Sequence, residues 1–130
     1  MNNKKWLIGI GVTLGIMMNN VSAQNSEYCD REKYDTASLK QCGMKDLKME
    51  KEKLDQVYKK LMSTLDSENK KLLKISQLAW VDFSKKDCVF QTDWETGTMG
   101  PLMSISCETG VTEDRRKSLE DRLTFELEYN

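Results

Sequence analysis

Residues 76–90 read SQLAWVDFSKKDCVF, a run of helical character that brings a tryptophan and a phenylalanine inward and ends on a cysteine. The chain holds four cysteines and no histidine. That cysteine is therefore a metal ligand, a redox thiol or one end of a staple, and the rest of the sequence decides which.

Upstream, Leu72, Ile75, Ala79 and Phe83 recur at helical spacing, with Leu73 and Trp80 beside them. The pattern predicts an amphipathic helix from about residue 68 to 86 or a little beyond, capped by Ser67, with that stripe at the centre of its buried face. Before it, residues 44–65 carry a second period, Met44, Leu47, Leu54, Val57, Tyr58, Leu61, Met62 and Leu65. Lys48, Lys53, Lys59 and Lys60 fall outside that stripe, and Lys51 falls within it and must snorkel out. A short break between two long amphipathic helices predicts an antiparallel hairpin.

Downstream the character changes. Residues 90–110, FQTDWETGTMGPLMSISCETG, hold three glycines and the single proline, together with Trp94, Met99, Leu102, Met103 and Ile105. This predicts a long irregular loop fenced by Cys88 and Cys107, and long ordered loops in compact domains are often functional. Thr112 then caps a third helix with Glu113 and Asp114 in its first turn. The tail, residues 124–130, alternates Phe125, Leu127 and Tyr129 and reads as fraying helix or a short strand. A short helix over residues 27–41 is expected at the other end.

The first residues, MNNKKWLIGIGVTLGIMMNNVSAQ, set Lys4 and Lys5 before an apolar run and small residues at Val21-Ser22-Ala23. That is the layout of a cleaved secretory leader, residues 1–23, and the run is shorter than the ~20 apolar residues a spanning helix needs. The expected mature chain, residues 24–130, is a single domain, placed in the periplasm or outside the cell. Without Lys4 and Lys5, 18 basic side chains face 21 acidic ones. No clustered basic face points to nucleic acid.

An even cysteine count in a small exported domain implies disulfides. Cys29–Cys42 and Cys88–Cys107 close the shortest loops, while Cys42–Cys88 remains a competitor if the first two long helices pack antiparallel. With no histidine and no CxxC, neither a metal site nor a cofactor is expected. The commonest general base is absent and no carboxylate sits in a distinctive motif, so the chain reads as a binder rather than an enzyme. A hydrolase using two carboxylates is the weaker reading. The fold expected is mostly α: a small antiparallel helical bundle or hairpin with a long disulfide-fenced loop, stapled by two disulfides.

Cys29, Cys42, Leu54-x-x-Val57-Tyr58, SQLAW, DCVF, GTMGPLM, Cys107, and Thr112-x-x-Arg115 with Leu119 occur in that order. In this the chain resembles the LprI-type lysozyme-inhibitor family of small exported bacterial proteins, over about residues 27–123. Asp55 and Ser84 depart from the family pattern, and no lipidation cysteine follows the leader. The resemblance implies a disulfide-bonded helical fold and inhibition of lysozyme. A mildly acidic protein suits a basic lysozyme. The surface expected to meet it is the Cys88–Cys107 loop, with Asp93, Trp94, Glu95, Met99, Leu102 and Glu108. An exported envelope-binding protein with another partner, such as a toxin, is the alternative.

Overall fold

The computed structural model describes residues 29–94 and 97–129; the expected leader and Glu95 lie outside them. The described residues form three helices and no strand: α1 (Thr36–Thr64), α2 (Ser67–Thr92) and α3 (Gly100–Tyr129).

α1 begins eight residues before the strong apolar period. Asp35 caps it, its carboxylate accepting from Ser38 N at 2.9 Å and Ser38 Oγ at 2.9 Å. These hydrogen bonds hold the Asp35 carboxyl below the usual carboxylate range, the backbone donor first. The short helix expected over residues 27–41 is therefore not a separate element: its second half is the first part of α1, and residues 29–35 are non-helical. At the next boundary Asp66, rather than Ser67, is the cap. Asp66 accepts from Glu68 N at 2.9 Å and Asn69 N at 2.8 Å, satisfying two of the donors a helix start leaves free.

The largest departure is the expected loop over residues 90–110. α2 runs on to Thr92 and α3 starts at Gly100, so the connection spans only residues 93–99. Pro101 lies in the first turn of α3, where the N–H it lacks has no helical partner anyway. Gly110 is an exposed interior position of α3, a local cost of about 1 kcal/mol that tertiary packing overrides. Thr112, expected as a cap, is buried mid-helix and donates its Oγ1 proton to the Glu108 carbonyl at 2.6 Å. The tail is helix to Tyr129.

The core lies between the first and last helices. Leu54, Leu61 and Leu65 of the α1 side meet Leu119 and Leu123 of α3, with Val57, Tyr58, Leu73 and Trp80 packed against them. α1 and α3 pack along much of their length, while α2 meets α3 at fewer residues. The expected α1–α2 hairpin is thus not the packing unit. Gly43 explains how closely α1 and α3 approach: a Cβ there would stand 3.1 Å from Ile105 Cγ2. Ion pairs reinforce the seam. Arg116 Nε donates to Glu50 at 2.9 Å, and Lys51 Nζ, the lysine inside the α1 stripe, reaches Glu108 at 3.1 Å.

The face α2 buries is also not the expected one. Ser84 and Cys88 are buried, and Leu73, Gln77 and Trp80 are half-buried, whereas Leu72, Ile75, Leu78 and Phe83 are exposed. Leu72, Ile75, Ala79 and Phe83, expected at the centre of the buried face, all point outward.

Candidate functional site

Two features of this fold could receive a partner, and both are built around how α2 is attached. Cys88, 1% exposed, is joined to Cys107 with a Cα–Cα distance of 5.7 Å. The bond fastens the last turns of α2 to the second turn of α3 and closes the 93–99 connection at its base. Cys88–Cys107 excludes the competing Cys42–Cys88 pairing. Cys29 and Cys42 are free thiols lying side by side. Burial, and then the Cys29 thiol within hydrogen-bonding reach, push the Cys42 thiol up.

Beyond the disulfide the described residues of the connection, 93, 94 and 97–99, are exposed. Trp94 is 66% exposed, yet its indole Nε1 donates to the Gln91 carbonyl at 2.8 Å, which fixes the ring. Thr92 Oγ1 donates to the Cys88 carbonyl at 2.8 Å, and Gly100 N to the Gly97 carbonyl at 3.3 Å. Asp93 and Met99 are exposed on the same turn. Leu102 follows half-buried in the first turn of α3. Glu108 is elsewhere: it lies further along α3 and pairs with Lys51 of α1. The six residues expected on one loop therefore divide into a tip, a half-buried leucine, a seam residue and Glu95, outside the described residues. Phe90, 81% exposed at the end of α2, is the tip residue that sequence reasoning missed. Its signal was present, since it continues the stripe of Leu72, Ala79 and Phe83 at helical spacing.

The second feature is a groove of about 520 Å³ between α1 and α2, with α3 as its floor. Leu54, Tyr58, Leu78, Trp80, Val81 and Val111 give it an apolar lining. Its far wall is held by Arg115 of α3. Arg115 Nε donates to Gln77 Oε1 and an Nη to Ser76 Oγ, each at 3.0 Å, and its guanidinium lies 6.0 Å from the Trp80 ring centroid. Burial lowers the hold of Arg115 on its proton. Gln77, Trp80, Cys88, Cys107 and Arg115, which carry the family-like pattern in the sequence, are thus the residues that fasten α2 to α3.

The titratable groups are arranged for adhesion. Glu50, its side chain 13% exposed, accepts from Lys53 at 2.6 Å and from Arg116 at 2.9 Å. These bonds, that from Lys53 first, hold its carboxyl below the usual range, opposite to the raised value a general acid needs. Among the described residues no group of His, Cys, Asp or Glu could hold a metal, and no helix is long and apolar enough to cross a membrane.

Compared with known proteins, the chain matches one family model, described as lysozyme inhibitor LprI, over residues 29–119. That span takes in α1, α2 and the first two-thirds of α3, with all four cysteines. No curated protein and no solved structure matches the chain.

Proposed function

The chain belongs to the LprI lysozyme-inhibitor family, and from that premise we propose that it binds lysozyme and blocks peptidoglycan hydrolysis, with the α2–α3 turn as its docking edge. The family is one of inhibitors rather than enzymes, and its members are exported bacterial proteins. In this reading the leader is cleaved after Ala23 and the mature protein acts in the periplasm or outside the cell.

The observation that carries the proposal is the state of Trp94. Its ring is presented to solvent while its N–H is already bonded to the Gln91 carbonyl. A partner that covers the ring therefore strands no donor, and gains the apolar area of an indole. The turn is shortened by the helices on either side and closed by Cys88–Cys107. The cross-link and the indole hydrogen bond restrain Trp94, so less freedom is lost when its ring docks. Met99 and Phe90 supply further apolar surface, and Asp93 adds a negative charge suited to a basic lysozyme.

The test is lysis of peptidoglycan by several lysozyme types, with and without the oxidised mature protein. Inhibition is expected, and Trp94→Ala should weaken it by roughly thirtyfold, the ~2 kcal/mol of an interface hot spot. The thermal midpoint should stay put, because the ring is not part of the core. If no lysozyme is inhibited, the inhibitor reading fails. In that case a pull-down from the envelope fraction identifies the partner instead. If inhibition survives Trp94→Ala together with Met99→Ala unchanged, the docking edge is elsewhere.

A further inference from the structure

We propose that the outer face of α2 is a dimer interface, on which a second copy of this chain packs antiparallel about a twofold axis. This goes beyond the inhibitor reading and does not depend on it. The first observation is an inversion. The side of α2 turned toward α3 carries Gln77, Ser84 and Cys88 with Leu73 and Trp80, whereas Leu72, Ile75, Ala79 and Phe83 line the side turned to solvent. Ile75 is 65% exposed and Phe83 63%. A stripe of large apolar side chains along one helix face, rimmed by charge, is the signature of an interaction surface rather than of scattered surface residues. A helix is paired most simply by another helix with a matching stripe.

The second observation is that the charges on this face are self-complementary in one register. In a twofold antiparallel pair, residues on the same flank of the stripe meet when they lie equally far on either side of the axis. With the axis level with Gln77, Ile75 meets the second copy's Ala79, and Leu72 comes within one residue of level with its Phe83. Ala79 is the small residue that lets the backbones approach. In the same register Glu68 meets the second copy's Lys86, and Lys71 lies within one residue of level with its Asp82. Symmetry makes each contact twice. Asp82 and Lys86 are exposed and, among the described residues, pair with each other at 2.8 Å along their own helix, which leaves both accessible to a second partner. Sliding by about one turn destroys the match. In one direction Glu68 comes against Asp82, and in the other Lys71 comes against Lys86, like charges in both cases.

A basic lysozyme is a poor occupant for this face. α2 as a whole carries Lys70, Lys71, Lys74, Lys85 and Lys86 against Glu68, Asp82 and Asp87, and along the stripe Glu68 and Asp82 balance Lys71 and Lys86, so the face offers a cationic enzyme no excess of negative charge. The second copy resolves the charges pairwise. The axis also sends the two α2–α3 turns to opposite ends of the dimer, away from the interface.

Sedimentation velocity on the oxidised protein tests the proposal. A concentration-dependent dimer is expected, and Phe83→Glu should render it monomeric with its helix content intact. Lys71→Asp alone and Asp82→Lys alone should each weaken dimerisation by about tenfold or more, and the double exchange Lys71→Asp/Asp82→Lys should restore it. Recovery in the double variant is specific to this register, since a merely structural defect would accumulate. A protein that stays monomeric at every accessible concentration overturns the proposal. So does a dimer that Phe83→Glu leaves intact, or one that the double exchange fails to rescue. Binding of a monomer to lysozyme or to anionic lipid vesicles through Ile75 and Phe83 would give the face to another occupant and equally overturn it.

Discussion

Cutting the Cys88–Cys107 bond should loosen one helix and spare the other two. The bond spans a sequence separation of 19. Chain-entropy bookkeeping for a loop of that length gives roughly 3 kcal/mol of stabilisation through the unfolded state. α2 depends on it more than α1 or α3, because its buried contacts are few: Leu73, Trp80, Ser84 and Cys88 meet α3, while the leucine core joins α1 to α3. Cys88→Ala/Cys107→Ala should therefore lose roughly 3 kcal/mol in urea unfolding, with a steeper denaturant dependence from a more expanded unfolded chain. Reduced wild type, which keeps both sulfurs, separates the lost cross-link from lost packing at the 1%-exposed Cys88. Amide exchange should show protection falling most in residues 67–92 and least in the core turns of α1 and α3. A loss under about 1 kcal/mol would refute the entropic argument. Equal loss of protection in all three helices would refute the claim that the disulfide, rather than the core, retains α2.

Leu61, 1% exposed at the centre of the leucine core, should cost roughly 3 kcal/mol when replaced by alanine, read as a lowered urea midpoint with unchanged slope. Glu50 gives a pH signature. Its folded-state pKa lies below the unfolded one, so its contribution is complete above the ordinary carboxylate range and is lost as pH falls through the depressed value. Glu50→Gln should flatten that part of the acid limb of stability against pH, and an unchanged limb would contradict the assignment. Cys29 and Cys42, adjacent as thiols, should close to a disulfide under mild oxidation, with non-reducing peptide mapping recovering Cys29 joined to Cys42. Mapping that finds either of them bonded elsewhere would overturn that pairing.

The helical class, the Cys88–Cys107 bond and most of the α1 face were readable because each rests on a local pattern. Leu54, Leu61 and Leu65 repeat at helical spacing and are the residues that become buried. The 90–110 segment misled for a physical reason. Gly100, Pro101 and Gly110 are turn residues by propensity, but Pro101 falls in the first turn, where proline is harmless, and Gly110 is carried by the packing on either side. The buried face of α2 misled for a different reason. Periodicity locates an apolar stripe but does not say which neighbour it faces, and here the half-polar side meets α3. The exposure of Trp94 was likewise beyond reach of pattern, since it depends on where α3 begins.

The pairing of the first helix with the last has a consequence for how the chain reaches its fold. The ion pairs of the seam join residues 57 and 66 positions apart, Lys51 to Glu108 and Glu50 to Arg116. No neighbouring pair of helices encloses the leucine core by itself, so a chain emerging from its N-terminus holds α1 and α2 with little to bury until α3 arrives. Closing a core between the first and last helices needs a longer loop than packing neighbouring helices does. For exported polypeptides such as the members of this family, a core that closes late is useful. The leucine core stays open until the last helix has been made, and α3 then closes it.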